Sequence, residues 1–290
     1  MEISASMVKE LREKTGAGIL DAKKALVENN GDMEKAMEFL RQKGIASAEK
    51  KMGRIAAEGL VDSYIENGVG ALIEVNCETD FVAKNEEFKT LVKNLAKQVV
   101  AVKPANVEEL LASTCQVCGC GKKIEDIIKE KVATIGEKIT VRRFDIVEGN
   151  PATYIHNGKI GVLLNTDCAD EAMEKDICLH IASNAPEFVS REEIPQSVID
   201  EETRIEMGKE DLAKKPEQIR AKIVEGRINK LMASRCLLEQ PFVKNPDQTV
   251  AQLVEGKLNI KCFIRYVLGE GLEKRQDNFA EEVASQMAGN

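Results

Sequence analysis

Apolar and polar residues follow a helical period over the first 54 residues of the chain. The segments "SASMVKELREKTGAG", "ILDAKKALVENNGD" and "MEKAMEFLRQKG" each place small and apolar residues on one face. Each segment also ends near a glycine, and Asp32 is positioned to cap the third. We therefore predict a compact three-helix module at residues 1–54, in which Gly44 ends the last helix and the charged linker "ASAEKKMGR" follows.

The middle of the chain contains two similar stretches, "YIENGVGALIEV" at 64–75 and "YIHNGKIGVLLN" at 154–165. Each consists of two strand-like runs joined at Asn-Gly, which is the strongest short signal for a β-hairpin. A helix, an interruption, a second helix and a third strand follow each hairpin, and the first of these helices covers "FVAKNEEFKTLVKNLAKQVV". The pattern predicts an α+β fold with a duplicated core of two three-stranded antiparallel sheets, each covered by helices.

The second copy has a long, highly charged interruption, with 17 charged side chains among the 44 residues of 195–238. Apolar residues are sparse there, and Pro216 is suited to start a second helix. We predict a projecting helical hairpin whose narrow apolar seam closes on its partner helix or on another copy of the chain.

The predicted division of the chain after the three-helix module has five parts. They are a first half-core at 55–149, a second half-core at 150–188 and 238–272, the helical-hairpin insertion at 189–237, and a C-terminal helical module at 273–290.

Composition and charge narrow the function classes. The 290 residues are 43% hydrophobic and 31% charged, and a net charge of -8 is spread among interleaved acids and bases. This pattern argues against nucleic-acid binding driven by a basic face. No run approaches the roughly 20 apolar residues of a membrane span, and the N-terminus lacks a signal-peptide pattern. We expect a cytosolic protein with no membrane partner.

Motifs of catalysis are missing from the sequence. It contains no phosphate-binding G-x-x-x-x-G-K-[ST], no G-x-S-x-G and no H-E-x-x-H. An enzyme that relies on carboxylates alone stays an alternative, but no constellation supports it. Of the two histidines, His180 lies in the apolar pattern "ICLHIAS" and is predicted to be a hydrogen-bonded, partly buried residue. We predict neither enzymatic activity nor a cofactor.

The segment "CQVCGC" contains the one candidate metal site. Cys115 and Cys118 have C-x-x-C spacing, which suits zinc, and Cys120 lies two residues further on. A structural zinc site needs a fourth ligand, and no second C-x-x-C follows. We therefore predict no metal, and a zinc-stabilised protein-binding module is the alternative.

Phe81 is the most unusual residue of the segment "TDFVAKN". It follows Asp80 at a strand–helix junction, where a carboxylate suits the free N–H groups of a helix start. The ring either packs on a later turn of its own helix as a hydrophobic staple or enters a pocket of a partner. The second copy also has Thr-Asp at this junction, in "NTDCADEA", but no Phe follows. Because a staple required for folding would be expected in both copies, the comparison favours a partner contact.

At "TDFVAKN" the chain closely resembles the bacterial-type elongation factor Ts family. Further similarity lies in "LREKTGAGILDAKKAL", "IGVL", "HIAS", "QPFVKNP" and "RYVLGEGLEK", in the family's order and over nearly the whole chain. The interruption "CQVCGC" does not match a family feature.

The resemblance implies a nucleotide exchange factor that binds the GDP form of the GTPase elongation factor Tu and performs no covalent chemistry. Four residues of "TDFVAKN" are then expected to approach the partner's nucleotide-binding domain and disturb its Mg²⁺ and phosphate-binding elements, with Thr79 as a further contact. They are Asp80, Phe81, Val82 and Ala83.

Other expectations also come from the resemblance. The first module resembles a ubiquitin-associated (UBA-like) domain, whose Ile19 and Leu20 would face the same partner domain. His156 would approach that domain from the second hairpin. The insertion at 189–237 matches the family's dimerisation element, so a homodimer is expected there, and the tail from about 273 would form a helical arm.

Overall fold

The N-terminal module has three helices, as predicted. The structure is a computed structural model that describes residues 3–51, 53–213 and 215–273. Its first helices are α1 (Ala5–Thr15), α2 (Ile19–Glu28) and α3 (Met33–Lys51). A small core is formed by six side chains on the facing sides of these helices, namely Val8, Leu11, Ala22, Ala25, Leu26 and Ala36.

The first half-core contains a three-stranded sheet in the order β1-β2-β3. Its elements are β1 (Glu58–Glu66), β2 (Val69–Cys77), α4 (Asp80–Lys84), α5 (Glu86–Val102), α6 (Val107–Ala112), α7 (Ile124–Ile135) and β3 (Thr140–Glu148). Asn67 and Gly68 form the two-residue hairpin turn, with φ angles of 50° and 74°; this is the positive-φ pair that such turns require. Every residue of β2 is buried, as expected for the central strand.

The second half repeats this plan with the sheet order β4-β5-β8. Its elements are β4 (Asn150–His156), β5 (Ile160–Thr166), α8 (Glu171–Asn184), α9 (Gln196–Met207), α10 (Glu210–Ala213), α11 (Glu217–Arg235), β6 (Pro241–Phe242), β7 (Asn245–Thr249), α12 (Val250–Val254) and β8 (Ile260–Val267). Helices α9 and α11 pack together as the predicted hairpin, and Pro216 lies immediately before α11. The α+β class, the two antiparallel sheets and the helical insertion are confirmed.

The chain folds into two compact units. The first is formed by the described residues of Met1–Asp62, Ile73–Phe144 and Val267–Asn290, and the second by Ser63–Leu72 and Asp145–Tyr266. The domain boundaries predicted from the sequence stay predictions. The predicted C-terminal module falls outside the described residues from 274 onward.

The helix predicted to follow the first hairpin is interrupted, which corrects the sequence analysis. Helix α4 ends at Lys84, and Asn85 has extended backbone angles (φ -68°, ψ 133°). Its side chain accepts a 2.7 Å hydrogen bond from the N–H of Glu87 and so caps α5. The apolar period continues from α4 into α5, so periodicity alone does not reveal the break between them at Asn85.

Gly44 does not end α3, which continues to Lys51. A Cβ at Gly44 would lie 2.7 Å from the Cβ of Ala133 on α7, which is closer than such atoms approach. The glycine therefore allows the backbones of α3 and α7 to approach closely. The sequence pattern predicts that Gly44 ends the helix. A glycine inside a helix can instead allow a neighbouring helix to pack closely, as it does here.

A buried carboxylate joins the elements of the first unit. Glu74 on β2 accepts hydrogen bonds from Arg142 (2.9 Å), Arg143 (2.7 Å) and the N–H of Gly269 (2.8 Å). Burial alone would raise the pKa of Glu74, but these donors outweigh it and lower the pKa. Its contribution to stability is therefore complete above the ordinary glutamate pKa of about 4.3 and is lost as the pH falls through the lowered value.

His180 is hydrogen-bonded, as predicted, but it is fully rather than partly buried. The ring is fully buried in α8, where Nδ1 accepts from the N–H of Val243 (3.1 Å) and Nε2 lies 2.8 Å from Oε1 of Gln240. Burial lowers the pKa of His180. With Nδ1 as the acceptor, Nε2 carries the proton and donates to Gln240.

Gly44→Ala is expected to lower the free energy of unfolding by about 1–3 kcal/mol, because the added methyl group overpacks the α3–α7 contact. Gly226→Ala is the matched control, since Gly226 also lies inside a helix but has open space around it. That change is expected to stabilise the protein by up to about 1 kcal/mol through helix propensity. Urea denaturation followed by circular dichroism measures both, and equal shifts in the same direction would contradict the packing role of Gly44.

Candidate functional site

Phe81 projects into solvent from the short helix α4. Its side chain is 80% exposed, which makes it an exposed large aromatic in a chain that has few aromatics. The staple alternative is therefore wrong, because a ring packed on its own helix would be largely covered. The buried aromatic of this region is Phe88 on α5, which is fully enclosed.

The local sequence explains why α4 starts where it does. Thr79 is the N-cap, and its hydroxyl accepts a 3.3 Å hydrogen bond from the N–H of Val82. Ala83, two residues after Phe81, is buried against the protein's own fold. With Ala83 facing inward, Phe81 is left on the outward side of this single turn.

The base of α4 is fixed by a carboxylate that lies 58 residues away in sequence. Glu137, in the turn between α7 and β3, accepts hydrogen bonds from the N–H groups of Glu78 (3.1 Å) and Thr79 (3.0 Å) and from the Thr79 hydroxyl (2.6 Å). In return, Glu78 accepts from the N–H of Lys138 (2.7 Å) and from Arg54 (3.3 Å). We call this arrangement of Glu78, Thr79, Glu137 and Lys138 the carboxylate clasp.

The carboxylate clasp was missed by sequence reasoning. The pattern located the α7–β3 turn, but it gives no sign that the acid in that turn binds a strand–helix junction far away. An acidic residue immediately after a helix-ending glycine, here Gly136, was the available signal. The clasp anchors the start of α4, so the backbone from which the exposed ring projects is held in place.

Asp80 is ionised and adjacent to the ring. The hydrogen bond from Lys84 (2.6 Å), together with the charge of that ammonium group, lowers the pKa of Asp80. Both side chains are solvent-exposed, so this ion pair contributes little to stability and can exchange for another partner. The surface of α4 therefore combines an apolar ring with a carboxylate and an ammonium group that are free to re-pair.

Cys77 lies immediately before the site, at the end of β2, and contacts the N-cap residue of α4. Its thiol is buried at the end of β2 and donates to the carbonyl of Thr79 at 3.2 Å. Burial, with a contribution from the nearby Glu137 carboxylate, raises the pKa of Cys77 to about 12. The thiol is therefore neutral and packs as a small apolar group.

The remaining predicted contact residues lie on other elements. Ile19 and Leu20 start α2 and are 58% and 82% exposed, so they form a second exposed apolar pair in the first unit. His156, in the second unit, ends β4 in an exposed position, with Nδ1 3.0 Å from the Tyr154 hydroxyl. The structure thus brings together the five residues from Thr79 to Ala83, whereas Ile19, Leu20 and His156 lie elsewhere. The binding role of all eight stays a prediction.

The three cysteines of "CQVCGC" gather in space. The sulfur of Cys118 lies 2.8 Å from that of Cys115 and 2.8 Å from that of Cys120. Within the described ranges, this is the group whose ligand atoms lie close enough together to hold a metal ion.

Phe81 and its rigidly held base point to the class of proteins that bind other proteins. An exposed aromatic ring on a rigidly held junction is typical of a protein–protein contact. In the described part of the chain, no helix is both long and apolar enough to cross a membrane.

Comparison with known families identifies the chain further. The family model described as Elongation factor TS matches residues 78–270. Because the match covers more than half of the chain and includes α4, the chain belongs to the elongation factor Ts family of translation elongation factors.

Glu137→Ala is expected to loosen the base of α4 without unfolding the protein. The change removes the charged acceptor of three donors, and hydrogen bonds to charged groups contribute about 1.5–3 kcal/mol each. Amide exchange at Glu78 and Thr79 should therefore accelerate at least roughly tenfold, as measured by hydrogen exchange with NMR detection. Glu86→Ala, which removes an exposed carboxylate paired with Lys89, is the control. Unchanged protection at both amides in Glu137→Ala would refute the clasp.

Proposed function

We propose that this chain is a guanine nucleotide exchange factor for the GTPase elongation factor Tu, and that α4 acts on the partner. The observation that carries the proposal is the exposure of the Phe81 ring on a helix whose base is fixed by Glu137. Membership of the elongation factor Ts family supports the choice of partner.

Phe81 is suited to supply binding energy. Moving an exposed Phe ring into an apolar pocket contributes about 1.5–3 kcal/mol, and aromatic residues of this kind dominate many interfaces. The clasp reduces the entropy that docking would otherwise cost, because the backbone of α4 is already ordered. Asp80 and Val82 flank the ring and complete the contact, whereas Ala83 supports the helix from its buried side. Thr79 acts through the cap and through the clasp.

Exchange follows if the ring acts as a wedge. GTPases hold the phosphates of their nucleotide through Mg²⁺ and a phosphate-binding loop. A ring that enters between helices of the nucleotide-binding domain displaces these elements, so the affinity for GDP falls. The coupling is reciprocal, and a newly bound nucleotide therefore weakens the grip of the exchange factor and releases it. The chain itself needs no cofactor and performs no covalent chemistry.

Two further contacts complete the proposed interface. The exposed pair Ile19 and Leu20 provides a second apolar contact to the nucleotide-binding domain. His156 approaches from the second hairpin, where its side chain is exposed. The hairpin of α9 and α11, with the exposed side chains Ile205 and Ile219, is the element proposed for a homodimer.

Phe81→Ala tests the proposal directly. Truncating a dominant interface residue costs about 2 kcal/mol or more, so the rate of GDP release at a limiting concentration of the chain should fall at least roughly tenfold. The measurement is the release of fluorescently labelled GDP from elongation factor Tu after mixing with the wild-type chain or the variant. Because the ring makes few contacts within the chain, the melting temperature should stay unchanged.

Ile65→Ala is the matched control, since it truncates a partly exposed apolar side chain at the end of β1. This variant should accelerate GDP release as the wild type does. If the wild type itself gives no acceleration at micromolar concentration, the exchange function is wrong. If the wild type and Phe81→Ala accelerate release equally, the wedge is wrong but the function stands.

A further inference from the structure

The loop between α6 and α7 has a well-defined base. Thr114 pairs with Lys123 in an antiparallel bridge, and the N–H of Cys115 donates to the carbonyl of Lys122 at 2.8 Å. The buried side chain of Gln98 accepts from the N–H of Gln116 at 2.9 Å and donates to the carbonyl of Thr114 at 2.9 Å. The two ends of the loop are thus held together at its base, where residue 114 meets residue 123.

The tip of this loop has no apolar core. Among residues 114–123, only Cys115 is buried, and the chain reverses at Gly119 and Gly121, which have φ angles of 60° and 68°. A loop with so little buried surface needs another source of stability, and a bound metal is a common one in small protein elements.

The three thiols converge at this tip. Besides the short sulfur–sulfur distances, the N–H of Cys118 points at Sγ of Cys115 at 3.4 Å. A cleft of about 420 Å³ opens beside Cys115 and Cys118, so water and ions can reach the sulfurs.

We propose that Cys115, Cys118 and Cys120 bind one thiophilic divalent cation, zinc, with water as the fourth ligand. Zinc–sulfur bonds of about 2.3 Å in a tetrahedron place neighbouring sulfurs about 3.8 Å apart. The Cys115–Cys118 and Cys118–Cys120 sulfur pairs lie closer than this, so each pair separates by about 1 Å when the cation enters. Cys118 and Cys120 are exposed and Cys115 is buried, so the movement falls mainly on Cys118 and Cys120.

A metal accounts for this cluster better than a disulfide does. A Cys115–Cys118 disulfide would leave the thiol of Cys120 without a role, although that sulfur is as close to Cys118 as Cys115 is. A three-thiolate site uses all three. The bound cation would fasten the loop tip to the start of α7, the helix whose far end leads to Glu137. This metal site is separate from the exchange function and does not depend on it.

Cobalt(II) is the probe for this site. Titration of the full-length chain, purified with a non-thiol reductant and freed of metal, should produce thiolate-to-cobalt charge-transfer bands in the near ultraviolet and strong visible bands of tetrahedral cobalt. The bands should saturate at about one cobalt per chain, as one site requires, and added zinc should abolish them.

Cys118→Ser and Cys120→Ser should each weaken cobalt binding at least as much as loss of an outer-shell partner does, which is roughly 10–100-fold. Cys168→Ser is the matched control, because Cys168 is exposed and forms no disulfide but lies outside the loop. This variant should bind cobalt as tightly as the wild type does. The proposal is overturned if no charge-transfer bands appear, or if Cys118→Ser binds as tightly as the wild type. A Cys115–Cys118 disulfide in metal-free protein that resists the reductant would also overturn it.

Discussion

The hydrogen bonds of the Glu137 carboxylate to Glu78 and Thr79 are the interaction on which the presentation of Phe81 depends. A five-residue helix is far too short to be stable alone. Its cap, its buried Ala83 and the carboxylate at its base must therefore supply the order. The exposed ring is little covered by the chain's own fold, and we propose that it serves as a binding surface that the first unit holds in place.

Packing in the first unit supports this arrangement from behind. The fully buried strand β2 leads directly into the clasp, and Glu74 ties this strand to β3 and to the turn at Gly269. Helix α7 enters the turn that carries Glu137, and the close approach at Gly44 packs α3 against α7. A change in any of these contacts can therefore reach α4 through the backbone.

Much of the fold could be predicted because its signals are local. The Asn-Gly turns, the strand alternation and the helix caps lie within a few residues of the elements that they define, and the comparison of the two copies favoured an outward role for Phe81. The wrong or missing predictions concern residues whose structural role depends on neighbours that are distant in the sequence. Gly44 looked like a terminator because Ala133 is 89 residues away, and Glu137 looked like an ordinary turn acid. At Asn85, a cap hidden within a continuous apolar period divided one predicted helix into two.

We propose that binding of this chain to elongation factor Tu and binding of GDP oppose each other. The most direct test is the dissociation constant of the chain for elongation factor Tu, measured by titration calorimetry without nucleotide and with saturating GDP. Saturating GDP is expected to weaken the complex by about 5–150-fold, the usual range of coupling between two sites. Equal dissociation constants with and without GDP would contradict the account, because a partner that binds both forms equally cannot shift the affinity for nucleotide.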